Sequence, residues 1–230
     1  MVGAQLEAPG TAAVTAADTI VTGLEAHRLA HRALPGRDLA EVELGTLLLG
    51  AELAAPLVLA VPEGARAATE QGLALVVGED AARLHDRPPL LLVSVPGRAL
   101  LDGPEHAERL VALAGADGLV IELDPIGDAL ASRRPAGAGA EHLAAACTAL
   151  APLPVVVREA GCGMDGADVR SLQMLGVAAV DVGGAGARPV ADPAFAGWGV
   201  TLAEAVAEGA LMAPGLPIIA GGLEKSPKVE

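Results

Sequence analysis

Seven short apolar runs recur along this chain of 230 residues, and each run is almost unbroken rather than alternating with polar residues. Strands buried on both faces have this pattern, and a parallel sheet covered by helices contains such strands. Ala-rich stretches of helical length lie between the runs, which favours repeated βα units. The predicted strands are Pro56–Val61, Leu73–Gly78, Leu90–Val95, Gly118–Leu123, Pro154–Glu159, Ala178–Gly183 and Pro217–Ala220.

The order of these elements predicts a TIM-type (β/α)8-like barrel that is incomplete, with about seven strands and the eighth βα unit missing. An open doubly wound sheet is the main alternative. The link over residues 62–72 is short for a full crossover helix. We expect a loosely ordered N-terminal arm over residues 1–30, a barrel-like domain over 31–222 and a charged tail over 223–230. The predicted helices are Glu105–Ala114, Ala140–Leu150, Asp165–Leu175 and Leu202–Leu211.

Composition narrows the class of protein further. With 52% hydrophobic residues but one Phe, one Trp and no Tyr, the core must be filled by Ala, Leu and Val. The 29 acidic against 15 basic residues give a net charge of -14, which argues against nucleic acid as a partner. No apolar stretch reaches the length of a membrane span, and the chain opens without a signal-peptide pattern. Two cysteines are too few for a disulfide framework, so we expect a cytoplasmic location.

Three groups of motifs follow one another between about residue 31 and residue 222. The first is the run 31–35 with Leu49-Gly50 and 55–57, and the second is 115–117 leading into 122–125. The third and strongest comprises 154–163 and 176–186, followed by Phe195, Trp198-Gly199 and 217–222. In this order and spacing the motifs resemble the type 2, FMN-dependent isopentenyl diphosphate isomerase family. Other FMN-dependent barrels, such as the 2-hydroxy-acid oxidases, are the runner-up families.

The resemblance implies a reaction, two cofactors and a small-molecule partner. The family moves a double bond between isopentenyl and dimethylallyl diphosphate, so the implied partner is a prenyl diphosphate. Reduced FMN acts there as an acid and base without net redox change, and Mg²⁺ holds the diphosphate.

Glycines at the ends of the late strands are candidates for binding the flavin phosphate, because only glycine lets the backbone come so close. Alternatively they are turn glycines that follow strands. Arg158 stands where the family has a lysine that faces the flavin ring, and its alternative role is an ion pair at the barrel rim. The candidate glycines are Gly183, Gly184, Gly186, Gly221 and Gly222.

Acidic and basic side chains supply candidates for the metal and for the diphosphate. Asp128 takes the place of a family glutamate and is a candidate magnesium ligand, with Glu122 and Asp124 beside it. The alternative is an acidic loop with an Asp-Pro turn. Arg188 and a basic cluster around residues 27–32 are candidates for binding phosphate, or else solvated surface charges. The arginines of this cluster are Arg28 and Arg32.

Several positions depart from the family pattern. The Met-Thr-Gly-Gly turn after the first strand is replaced by residues 61–64, Val-Pro-Glu-Gly. A glutamine near the reacting carbon is replaced by Gly127, which has no side chain to move a proton. The catalytic residues are therefore not identified.

Three hypotheses for the function follow from this pattern. The chain is an FMN-dependent isomerase, a catalytically inactive barrel-derived binding or assembly protein, or a flavin-free Mg²⁺-dependent prenyl-diphosphate enzyme. Because an incomplete barrel exposes strand edges, we also expect a homo-oligomer.

Overall fold

The computed structural model describes residues 22–28, 30, 36, 38–60, 64–81, 84–132, 138–159, 161–183 and 198–221. The strands within these ranges are β1 Thr46–Leu48, β2 Ala51–Leu53, β3 Val58–Leu59, β4 Ala74–Gly78, β5 Leu90–Pro96, β6 Gly118–Leu123, β7 Val155–Glu159, β8 Ala179–Val182 and β9 Ile218–Ile219. The helices are α1 Ala65–Gln71, α2 Pro104–Ala114, α3 Pro125–Ser132, α4 Ala140–Leu150, α5 Gly166–Met174 and α6 Leu202–Met212.

Strands β3 to β9 form one parallel sheet in which spatial order follows chain order. A doubly wound sheet would reverse its strand order at a switch point, so that alternative is wrong. The sheet curls into a half-barrel with helices outside it, and β3 and β9 are its edge strands among the described residues. The barrel-type fold predicted from the sequence is thereby confirmed, and all seven predicted strands lie within one or two residues of the observed ones.

Two apolar layers explain why the strand sequences are unbroken. Along β5, Leu91 and Val93 pack with the helices in the outer core, whereas Leu90 and Leu92 point into the barrel interior. Successive strand residues point to opposite faces, so a strand with apolar layers on both sides needs an apolar residue at nearly every position. The inner core comprises Leu53, Ala74, Leu90, Leu92, Val120, Val156 and Ala179.

A hairpin that the sequence analysis did not predict completes the inner core. Strands β1 and β2 pair antiparallel, and Leu53 at the end of β2 is 3% exposed within the inner layer. Its two-residue turn has positive φ at both Leu49 (50°) and Gly50 (84°). Positive φ at both central residues matches the twist of a hairpin. Asn-Gly is the usual signal for this turn, and Leu-Gly does not carry it.

Two further elements correct the sequence-based expectations. The link 62–72 contains the seven-residue helix α1, although it had been judged short for a crossover helix. Residues 125–132 form helix α3, where an Asp-Pro turn in a loop had been the alternative. Within the described part of the chain, the helices are too short or too polar to span a membrane.

The predicted arm is described only from residue 22 onward. There the Ala203 N–H at the start of α6 donates to the carbonyl of Thr22 at 2.9 Å. The end of the arm thus contacts the barrel domain, and its division from the rest of the chain remains a prediction.

Candidate functional site

A polar cleft of about 560 Å³ lies at the carboxyl ends of strands β4, β5 and β6. Parallel strands present these ends at one edge of the sheet, where the loops that follow them carry functional groups in barrel proteins. The residues that line the cleft come from the ends of β4, β5 and β6 and from α3. They are Gly78, Glu79, Asp80, Ser94, Pro96, Arg98, Glu122, Asp124 and Asp128.

A chain of polar contacts crosses the sheet from β5 to β8 at this edge. The Ser94 hydroxyl donates to Glu122 Oε1 at 2.9 Å. Arg158 lies 3.5 Å from the same oxygen through Nη1 and 3.1 Å from Asp181 Oδ2 through Nε. The parallel register pairs Glu122 with Arg158 and Arg158 with Asp181, so the backbone itself brings these side chains together. The positive charge of Arg158 is therefore shared between two carboxylates.

Asp181 is the most buried member of this network and is 8% exposed. Its Oδ1 atom has no hydrogen-bond partner among the described residues. Burial raises the pKa of Asp181, Glu122 raises it further, and Arg158 and the Gly221 amide act in the opposite direction. A buried acceptor left without a donor disfavours the charged form.

The first turn of α3 explains why residue 127 is glycine. The Gly127 N–H donates to Asp124 Oδ1 at 2.9 Å, so Asp124 caps the helix that Pro125 begins. A Cβ atom at position 127 would lie only 2.3 Å from Asp124 Oδ2. The capping carboxylate thus fills the space where a side chain at position 127 would begin.

A second buried carboxylate holds the loop after β7. Glu159 Oε2 accepts hydrogen bonds from three successive amides, those of Gly161 (2.9 Å), Cys162 (2.7 Å) and Gly163 (2.5 Å). Burial raises the pKa of Glu159, and these amides act against that shift. Burial and the charges of Glu159 and Asp124 also raise the pKa of the Cys162 thiol. This thiol is therefore poorly suited to act as a nucleophile at neutral pH.

The strand ends at β8 and β9 fit a flavin phosphate in one respect. Gly183 directly follows β8 and Gly221 comes two residues after β9, so no side chain covers the main chain at either point, although Gly183 is buried and Gly221 half-buried. A Cβ atom on Gly221 would lie 2.6 Å from Asp181 Oδ1, which requires glycine there on packing grounds as well. The other candidate glycines, Gly184, Gly186 and Gly222, lie outside the described residues.

The remaining predicted site residues are distributed unevenly. The proposed metal ligands Glu122, Asp124 and Asp128 all line the cleft. However, no three His, Cys, Asp or Glu side chains among the described residues are arranged to hold a metal ion. Arg28 is exposed and does not line the cleft, and Arg32 and Arg188 lie outside the described residues.

Three residues of the site were not identified from the sequence. Arg98 lines the cleft, and Glu159 and Asp181 are buried at the ends of β7 and β8. The last two were detectable as acids near the ends of mostly apolar strands, whereas Arg98 follows β5 by two residues without any motif.

Fold and site together define a βα half-barrel with a charged cleft at the carboxyl ends of its strands. Two solved structures share this fold, a lactate oxidase of Pediococcus acidilactici and a flavocytochrome b2 variant with pyruvate bound. The TM-scores are 0.63 and 0.54 at 14% and 15% sequence identity. The matches cover 88% and 80% of this chain, and 66% and 56% of the respective solved chains.

Sequence relatives identify the family within that class. The chain is 34% identical to an isopentenyl-diphosphate delta-isomerase of Xanthobacter autotrophicus, over 90% of this chain and 73% of the relative. It is 32% identical to the enzyme of that name from Stutzerimonas stutzeri, over 87% and 71%. No protein-family model matches the chain. The chain belongs to the isopentenyl-diphosphate delta-isomerase family of type 2, as the motifs had predicted.

The buried carboxyl group of Asp181 predicts a specific pH dependence of the stability of the fold. Its pKa in the folded chain lies above the ordinary 3.8, so the native state keeps a proton that the unfolded state has lost. Stability therefore falls as pH rises from 3.8 through the folded pKa. Because Asp181→Asn cannot ionise, its free energy of unfolding should increase relative to that of the wild type as the pH rises from 3.8 through the folded pKa of Asp181. Urea unfolding across this range measures the difference, and a constant difference would contradict the prediction.

Proposed function

We propose that this chain is an FMN-binding isopentenyl-diphosphate delta-isomerase whose site lies at the carboxyl ends of the strands, with the substrate in the cleft. One observation carries the proposal. The relatives match about 90% of the chain, and the described residues of the matching strand-end motifs lie at one edge of one sheet. The isomerisation adds a proton at one carbon of the substrate and removes one from another, so no net oxidant is needed.

The described residues suggest a division of roles. Gly183 and Gly221 would bind the flavin phosphate through their backbone N–H groups, and Arg158 would face the flavin ring. Bound reduced FMN would supply the acid and base chemistry. Arg98 is the arginine among the described cleft-lining residues, and we assign it to the substrate diphosphate because a guanidinium matches phosphate geometry.

We propose that Mg²⁺ binds together with the substrate, partly through the oxygens of its diphosphate. Magnesium is commonly held by one or two carboxylates together with substrate phosphates, rather than by an all-protein cage. Asp128 at the cleft is our proposed ligand, and the diphosphate oxygens would provide the others. The free thiols of Cys147 and Cys162 fit the reducing cytoplasm that we propose as the location.

Flavin retention and turnover test this function directly. After addition of excess FMN and removal of the unbound part, the protein should keep a flavin absorption spectrum. It should then convert isopentenyl diphosphate in the presence of Mg²⁺ and a reductant.

Arg158→Gln should weaken FMN binding about tenfold because it removes the cation beside the ring. Arg66→Gln, which alters an exposed ion pair on α1, is the matched control and should leave binding unchanged. Retention of no flavin by the wild type would refute the proposal.

A second candidate function is a ligand-binding barrel without isomerase activity. The specific observation is that the cap formed by Asp124 fills the place of a side chain at position 127. The family places its glutamine there, near the reacting carbon. If that amide is indispensable, this chain binds the family's ligands without turning them over.

Restoring the glutamine separates the two candidates. Gly127→Gln alone should lose about 1–3 kcal/mol of unfolding free energy, because its Cβ collides with the Asp124 carboxylate. A shorter cap in Asp124→Ser/Gly127→Gln should relieve the collision, since serine also caps helices. The second candidate predicts turnover by this double variant and none by the wild type or by the control Asp124→Ser/Gly127→Ala. Turnover by the wild type would eliminate it.

We also propose that the chain assembles as a homo-oligomer that covers the β3 and β9 edges. Each edge strand has two residues, and Val58 and Ile219 on them are only partly buried against the inner core. Unpaired strand edges favour pairing with another chain. Light scattering at micromolar concentration should give at least twice the monomer mass of 22.7 kDa. A monomer mass would contradict the proposal.

A further inference from the structure

The cleft carries the wrong charge for the anionic ligands proposed above. Five of its lining residues are carboxylates, whereas Arg98 is the basic residue among the described lining residues. Arg158 on the neighbouring strand contacts the cleft-lining Glu122 and would be the natural compensation. Its guanidinium, however, is already held between Glu122 and Asp181.

Glu122 differs from the other cleft carboxylates in what it binds. It faces the cleft, yet it also accepts the Ser94 hydroxyl at 2.9 Å and pairs with Arg158 at 3.5 Å. The side chain of Glu122 is 31% exposed and that of Arg158 is 25% exposed, so a ligand can reach the pair. An incoming phosphate would have to compete with Glu122 for both the guanidinium and the hydroxyl.

We infer that Glu122 is a specificity-determining residue that lowers the affinity of the cleft for phosphate-bearing ligands by occupying Arg158 and Ser94. The inference concerns the site of the proposed function but does not require turnover. The Glu122 carboxylate offsets the guanidinium charge that would otherwise attract a ligand phosphate, and an incoming phosphate meets that carboxylate at short range. Such repulsion is strong in a partly buried cleft and is weakened by salt.

The substitution Glu122→Gln tests this inference with little structural change. Glutamine has nearly the same shape and can still accept the Ser94 hydroxyl, so the variant removes only the charge. Isothermal titration with inorganic pyrophosphate, without metal and at low salt, should give a Kd about tenfold lower than for the wild type. The difference should shrink as salt is added.

Glu79→Gln is the matched control, because Glu79 lines the same cleft but makes no ion pair with Arg158 among the described residues. It should change the Kd by less than about twofold. Asp181→Asn is a second variant, at the other partner of Arg158, and above the raised folded pKa of Asp181 it should also tighten pyrophosphate binding. Equal Kd values for wild type and Glu122→Gln would overturn the inference. So would an equal gain in Glu79→Gln, because the effect would then be general acidity.

The result is independent of the flavin test. If the wild type keeps FMN and isomerises its substrate but Glu122→Gln binds pyrophosphate no tighter, this inference fails and the proposed function stands. If Glu122→Gln binds pyrophosphate tighter in a chain that keeps no flavin, the inference stands and the proposed function fails.

Discussion

The parallel register of β6, β7 and β8 is the constraint on which the site depends. It places Glu122 opposite Arg158 and Arg158 opposite Asp181, one residue on each strand and all at the same end of the sheet. The ladders that fix this register are buried between two apolar layers, so a one-residue slip would exchange the inner and outer cores. The charged contacts are therefore held by a framework whose stability comes from apolar burial and backbone hydrogen bonds rather than from the charges themselves.

Placing these charges at the strand ends has an energetic consequence. Asp181 is buried with one oxygen unpartnered among the described residues, and burial raises its pKa despite the neighbouring guanidinium. Removing charges from water costs free energy that ion pairing repays only when the geometry is good. At 3.5 Å the pair between Arg158 and Glu122 is loose, and both side chains remain partly solvated. The network is thus better suited to setting the charge of the cleft than to stabilising the fold.

Sequence reasoning found the framework because the framework has a periodic cause. Strands buried on both faces must be apolar at nearly every position, and this pattern located the seven strands, whereas their order in the sheet is decided by the structure. The hairpin β1–β2 could not be predicted from the sequence, because its turn has Leu49 at positive φ and leucine gives no signal for that conformation. Helix α3 was not predicted because the pair Asp124-Pro125 is typical of a turn as well as of a helix start. Only the tertiary structure decides between the turn and the helix.

The site was harder to predict because the role of each residue depends on the residue that it contacts. Arg158 alone indicates a cation for a ligand, but the strand register gives it two carboxylate partners. Gly127 alone indicates the loss of a catalytic side chain, but its amide binds the Asp124 carboxylate and leaves no room for a Cβ. Arg158 and Gly127, two of the departures from the family pattern, thus each contact an acid, Glu122 or Asp124. Energies of contacting residues do not add independently, so a change at Arg158 or Gly127 also alters what its acidic neighbour contributes. Each acid and the residue that accommodates it therefore behave as a unit, and the chemistry of this cleft follows from these two units rather than from any one missing residue.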